Sequence, residues 1–213
     1  MNLPDIYSQA ANIQTLVGLT GISLLLAASV LRVFLFFKVK KQVAILIALL
    51  VFALSYLSIS GDSINFYLRG IFNDISISSY ILLGYYFISS GRTTSIINSN
   101  TQPVFYLATL TGLFFYPAAL GLGPIDPYSW GFINKAHDQY SSLIFIVCLA
   151  GLMFFSFLKQ YNLLLLCLVL STLSYQSGIL ESQNLWDYLF DPLIFIYALL
   201  AIIYRINKKF NPF

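Results

Sequence analysis

Long apolar stretches, each bounded by charges, prolines or glycines, dominate this chain and leave few folds open to it. Hydrophobic residues make up 59% of the 213 positions, and Asp, Glu, Lys and Arg together only 9%. A soluble domain carries roughly 25% charged residues. A membrane helix needs about 20 mostly apolar residues. Seven stretches approach that length: 16–37, 43–60, 75–91, 103–120, 142–158, 162–178 and 191–204. The expected fold is all-α, a polytopic integral membrane helix bundle of about seven transmembrane helices, forming a single domain over residues 1–213. The start of the chain has no basic region ahead of its first apolar run, so that run is read as a retained span and not a cleaved signal.

The basic residues orient this bundle. Lys38, Lys40 and Lys41 follow the first span, which makes that loop cytoplasmic by the positive-inside rule. Arg92, Lys159, Arg205, Lys208 and Lys209 then fall on the same side, against only Arg69 and Lys135 outside. The N-terminus is expected outside and the C-terminus in the cytoplasm, in a membrane of the bacterial inner-membrane type. All eight acids (Asp5, Asp62, Asp74, Asp126, Asp138, Glu181, Asp187 and Asp191) fall on the outer side. Outer loops hold most loop residues, so this agrees with the orientation without proving it. Arg32, within the first span, can snorkel to the inner headgroups.

Several helix ends are legible. Asp191-Pro192 reads as an N-cap followed by proline at the first helical position. Asp74 is expected to cap the third helix, and Pro103 to open the fourth. Gly121 and Pro124 forbid continuation beyond the kink expected at Pro117. Lys159-Gln160-Tyr161 leaves room only for a tight hairpin, making its two helices antiparallel neighbours. Gly18, Gly21, Ala27, Ala28 and Ser29 offer close packing surfaces on the first helix.

Candidate chemistry gathers on the outer side. Asp62 and Arg69 are seven residues apart and would share a face of a continuing helix, with Arg69 as a phosphate binder. Residues 121–142 hold Asp126, an aromatic run, Lys135, and the single histidine, His137, beside Asp138. His137 could serve as a general base with a carboxylate from another segment. Ser171, Ser174, Gly178 and Glu181 form one polar helical stripe, and Ser55, Ser58 and Asp62 a second. The candidate outward cluster is therefore Asp62, Arg69, Asp126, His137, Asp138 and Glu181.

Other classes find little support. The one histidine cannot pair as haem ligands, and no phosphate-binding glycine loop, zinc-protease motif or nucleophile elbow occurs. Cys148 and Cys167 lie in successive apolar runs and read as packing residues at different depths. No cofactor or metal is implied. The net charge of +3 is spread over short loops, which argues against nucleic acid as a partner. Membrane lipids are the expected surroundings, with a membrane or extracytoplasmic protein as partner. The leading expectation is a non-catalytic membrane subunit or scaffold, whose outer aromatic loops, Tyr128 to Phe132 and Trp186 to Phe190, contact that partner. The alternative is an embedded hydrolase or transferase acting on lipid or lipid-linked headgroups at the outer leaflet. A small-solute transporter ranks third, because it needs a polar path through the whole membrane and the polar stripes lie mainly in the outer half; the lack of central acids or lysines weighs against a proton-relay pump.

Overall fold

A computed structural model describes residues 3–59, 61–89, 97–133 and 139–210. Among these the chain is all-helical apart from one two-stranded hairpin. The helices are α1 (Leu3–Phe36), α2 (Lys41–Leu54), α3 (Ile64–Phe72), α4 (Ile77–Ser89), α5 (Gln102–Ala119), α6 (Gln139–Leu158), α7 (Asn162–Ser177), α8 (Leu185–Leu189) and α9 (Pro192–Phe210). Strands β1 (Ser58–Ile59) and β2 (Asp62–Ser63) pair antiparallel, and Pro127–Gly131 forms a 3-10 turn. A helix occurs within each of the seven apolar stretches. Two helical segments are long and apolar enough to cross a membrane, Asn12–Phe36 and Tyr140–Leu158, while Lys41–Leu54, Ile77–Ser89 and Asn162–Ser177 are apolar but shorter.

The residues fall into two compact units. The first comprises Met1–Ile75, Tyr80–Arg92 and Gly178–Glu181. Here α1 and α2 pack at helical spacing, Ala27 and Leu31 against the small Ala44 and Ala48, all four buried. Small residues let helix backbones approach closely. The turn joining the two helices places Lys38 at φ 58°, with Val39 N–H donating to Phe34 O and Lys38 N–H to Leu35 O. This six-to-one and five-to-two pattern satisfies the last carbonyls of α1. Gln160 (φ 56°) ends α6 in the same way, and Gly121 (φ 79°) ends α5.

A buried polar knot ties α1, α2 and α3 together. Asn65, fully buried, donates from Nδ2 to Ser23 Oγ at 2.9 Å and accepts at Oδ1 from Ser63 Oγ. Ser55 Oγ lies 2.7 Å from Ser23 Oγ, and the Asn65 N–H donates to Ser55 O. The knot explains why α2 stops at Leu54. The expected second span, 43–60, continues apolar through Leu57, but the chain turns at Ser55 and enters the hairpin. Ser58 and Asp62 are therefore on strands, and the polar helical stripe expected of Ser55, Ser58 and Asp62 does not form.

The second unit comprises Ser76–Ser79, Thr93–Ser177 and Ser182–Phe213. Within it α5 packs against α9, and α6 against α7, the latter pair joined by the short 159–161 turn as expected. Gly112 allows α5 and α9 to approach, since a Cβ there would fall 2.1 Å from Phe195 Cδ2. The Phe195 ring has little freedom to yield, being packed at 5.2 Å on Tyr116.

Helix α3 inverts the usual arrangement. Its polar Asn65 is buried, whereas Phe66, Ile71 and Phe72 are 45%, 74% and 46% exposed. The internal helix α6 shares this character, with Leu143, Val147, Phe154 and Phe157 all exposed and 22% of its most apolar stretch buried. Arg32 is exposed and makes no ion pair among the described residues. Replacing Gly112 by Ala should destabilise the chain by about 1–3 kcal/mol through overpacking against Phe195, read as a lowered unfolding midpoint relative to wild type. An unchanged midpoint would show that α5 and α9 do not meet at this glycine.

Candidate functional site

The charged residues that come together do so around Arg69, in the last turn of α3. Residues Asn65 and Arg69 are four apart and so share the inward face of this helix. The helix ends at Asn73, whose N–H donates to Arg69 O at 2.8 Å and whose backbone adopts φ 60°, ψ −170°. That region is nearly confined to glycine and costs on the order of 1–3 kcal/mol. The reversal at Asn73 brings Asp74 back onto the side chain of Arg69.

The pairing is bidentate. Arg69 Nε–H donates to Asp74 Oδ1 at 2.6 Å and Nη2–H to Asp74 Oδ2 at 2.9 Å. Nη2 also donates to Glu181 Oε1 at 2.6 Å, across 112 positions of sequence. The Arg69 and Asp74 side chains are 14% and 11% exposed, and Glu181 is 53% exposed. The hydrogen bond from Asp74 raises the guanidinium pKa further above its ordinary value, burial opposes that, and Glu181 adds to the rise. Arg69 thus stays charged at any pH the protein meets.

Helix α1 forms the wall behind this group. A Cβ on Gly18 would lie 2.2 Å from Asp74 Oδ1 and 2.5 Å from Arg69 Nε, so only glycine fits. One turn on, a Cβ on Gly21 would meet Tyr80, whose hydroxyl donates to the Val17 carbonyl. Gln14 Nε2–H donates to Gly178 O at 2.9 Å and fastens the segment that carries Glu181. The cluster therefore joins α1, the end of α3, the α3–α4 turn and residues 178–181 of the first unit.

Of the residues expected to form a site, the structure brings Arg69 and Glu181 together. Asp62 lies apart from their hydrogen bonds, exposed on β2, because α3 begins only at Ile64 and no continuing helix aligns it with Arg69. Glu181 is likewise off the helix: α7 ends at Ser177 and Gly178 has φ 62°, so the stripe from Ser171 does not run on to it. Asp126 caps the 3-10 turn, accepting at Oδ1 from the Tyr128 N–H at 3.0 Å. His137, Asp138 and Lys135 lie outside the described residues.

Asp74 was expected to cap the helix that follows it, but Ser76 does so, its Oγ accepting from the Ser79 N–H at 3.1 Å. The serine sits immediately before α4, where a cap belongs, and Asp74 is held by the stronger bidentate pair. Asp74 is the partner that sequence reasoning missed. The Gly70 and Asn73 breakers between it and Arg69 were the available signal for a reversal.

The second unit contains two further carboxylates with assigned partners. Asp191 is 6% exposed and caps α9, as expected, accepting from the Ile194 N–H at 2.8 Å. Its other oxygen accepts from the Ser76 N–H at 2.7 Å and Ser79 Oγ at 2.6 Å, so one carboxylate serves two helix N-termini. Both ends favour negative charge. Asp187 accepts from the Tyr128 hydroxyl at 3.0 Å and from Ser182 Oγ. Burial first, then the Asp187 charge and hydrogen bond, push the Tyr128 hydroxyl up to about 12, so it remains a donor at neutral pH.

The aromatic loops expected to face a partner are largely turned on one another. Trp186 stacks on Phe145 at 4.5 Å and its Nε1–H donates to Pro127 O at 2.8 Å. Tyr188 is fully buried and Phe190 8% exposed. Gly131 is required beneath Asn184, whose Oδ1 would lie 1.8 Å from an added Cβ.

Chemically, the Arg69 cluster carries one positive and two negative charges, net −1, with the guanidinium already engaged by both carboxylates. Such a group fastens segments. It does not present a free cation to phosphate. Arg69→Met should leave the Asp74 carboxylate buried and unpaired, at a cost of about 3–5 kcal/mol. Glu181→Gln, at a half-exposed position, should cost less than about 1 kcal/mol. Joint replacement Arg69→Met with Asp74→Leu should recover much of the first loss. Unfolding midpoints of the three variants test this order, and equal losses for the arginine and glutamate variants would refute it. No family model, curated protein or solved structure matches the chain.

Proposed function

We propose that this chain is a multi-pass integral membrane protein that serves as a non-catalytic membrane subunit or scaffold. Its N-terminus lies outside and its C-terminus in the cytoplasm, in a membrane of the bacterial inner-membrane type. The observation that carries the membrane reading is the inversion of α3, which hides Asn65 and turns Phe66, Ile71 and Phe72 outward. In water this would expose apolar surface and still bury polar groups, a double cost. Beside lipid the same arrangement is favourable, and aromatic residues at the headgroup level are common. The exposed apolar face of the internal helix α6 supports the same reading, because a helix apolar all round needs an apolar environment.

Helices α2, α4 and α7, at 14, 13 and 16 residues, reach about 20–24 Å at 1.5 Å per residue. A hydrocarbon core is about 30 Å thick. On this reading they cross with local thinning of the bilayer or with the help of their flanking turns. The non-catalytic part of the proposal is supported by the state of the charged groups. Asp74 and Glu181 hold Arg69, Asp126 caps a turn, Asp187 holds Tyr128, and Asp191 holds two helix ends. The exposed Leu120 and Leu122, in the break after α5, offer an outer surface for a protein partner.

Fusions of alkaline phosphatase and green fluorescent protein test the topology. Ends after Lys41 and after Phe210 should give fluorescence without phosphatase activity, and ends after Gly61 and after Gly123 the reverse. Retention of the full chain in membranes washed at alkaline pH should accompany this. A chain released by the wash, or fusions with one sidedness throughout, would overturn the membrane reading. A photocrosslinking residue at Leu122 should capture a stoichiometric protein partner in native membranes. A chain that remains uncrosslinked there would remove the subunit role.

A further inference from the structure

We propose that the second unit contains a binding site for a single hydrocarbon chain of a membrane lipid, in a slot running lengthwise between α5 and α6. The proposal rests on the membrane reading above and adds a specific ligand site to it. The slot has a volume of about 290 Å³. On α5 its wall runs from Val104 to Phe114 and on α6 from Ile144 to Leu152. At 1.5 Å per residue these walls are about 15 and 12 Å long. Both walls are long enough for an extended polymethylene chain to lie along them. The volume also falls at the small end for ligand pockets, which fits one tail and excludes a whole lipid.

The chemistry of the walls agrees. Among the described residues no charged side chain lines the slot, and the hydroxyls present are those of Ser78 and Thr111. Ser78 is already hydrogen-bonded to Ser171 at 3.2 Å. A polar headgroup would find no partner here, and an apolar cavity of this kind does not hold ordered water. Phe114 and Ile144 on its rim are 54% and 61% exposed, so it opens sideways through the surface where lipid chains lie. The end beside the 3-10 turn is closed by Trp130, Trp186 and Phe190. Trp186 is fixed there by its stacking on Phe145 and its bond to Pro127, which makes the closure rigid. A chain that enters from the side is therefore bounded along its length and stopped at one end. Annular lipid on an open helix face has neither limit. Cys148 and Cys167, which sequence placed at different depths, both line this slot.

The two tryptophans of the chain both line the site, so intrinsic fluorescence reports on it alone. Bromine atoms quench indole emission on contact. The full chain in mild detergent micelles should lose most of its tryptophan emission on titration with dibromostearate. The loss should saturate, and unbrominated stearate should reverse it. Cys148→Phe, which fills the slot from its exposed wall, should abolish the saturating component, and Ala108→Phe should do the same from α5. Each variant is compared at unchanged helicity and unquenched emission, and the milder cysteine change keeps the test valid if the alanine variant misfolds. Quenching that rises in proportion to the brominated fraction, without saturation and equally in wild type and Cys148→Phe, would overturn the proposal. The alkaline wash separates the two readings. A retained chain with unsaturable quenching loses the site alone, and a released chain with saturable quenching loses the membrane assignment alone.

Discussion

Polar groups on helices whose outer faces are apolar have to find partners inside the protein, and that requirement governs most of the geometry seen here. Arg69 shows it most fully. It sits on the inward face of α3 while the aromatic face of the same helix points out, and its charge is met by Asp74 and Glu181. The consequences spread through the first unit. Gly18 must remain glycine to admit the pair, Asn73 must adopt a backbone conformation that disfavours side chains, and residues 178–181 must be drawn in to supply the second carboxylate. A strained residue persists only when its surroundings over-determine it, and the bidentate bond on one side with the Asn73 N–H bond on the other provides that. Asn65, one turn earlier on the same face, repeats the logic with hydroxyls in place of charges.

The fold was more legible in the sequence than the cluster was. Apolar runs located a helix in each of seven stretches because hydrophobic length is a local property. Asp191-Pro192 and the 159–161 turn were legible for the same reason, since caps and tight turns are chemistry among neighbours. Failure came where a distant partner decided the outcome. Nothing local distinguishes Leu54 from Leu57, so the end of α2 was invisible, being set by Ser55 and the fit of its hydroxyl against Ser23 on α1. The heptad spacing of Asp62 and Arg69 misled because it assumed a continuous helix from one to the other, whereas Asp62 and Ser63 form β2 and α3 begins at Ile64. The bond between Arg69 and Glu181, spanning 112 positions, has no sequence signature in a single chain.

Aromatic residues illustrate a different limit. Tyr128, Trp130 and Trp186 look alike in sequence whether they anchor at a headgroup layer, meet a partner or pack on one another. Hydrogen-bond capacity decides among these. Trp186 can be drawn inward because the Pro127 carbonyl is there to accept from its indole, and Tyr128 because the Asp187 carboxylate is there to accept from its hydroxyl. Trp186, with Trp130 and Phe190, closes one end of the slot between α5 and α6. Packing of the outer loops thus shapes the apolar interior beneath them, and a change at Asn184 or Gly131 would be felt in that cavity through Trp186.

Magnitudes weigh against Arg69 as a lipid-phosphate ligand, the role its isolated position in an outer segment suggested. A phosphate would have to displace Asp74 or share the guanidinium with it. Separating a largely buried bidentate pair costs about 3–5 kcal/mol. A charge-assisted hydrogen bond to the incoming phosphate returns only about 1.5–3 kcal/mol. The remaining Asp74 and Glu181 would then repel the ligand at close range. A cluster of net charge −1 is better suited to hold its own segments in register than to select an anion. The same residues that made this stretch look like a binding site in sequence are the reason that it is closed as one in the fold.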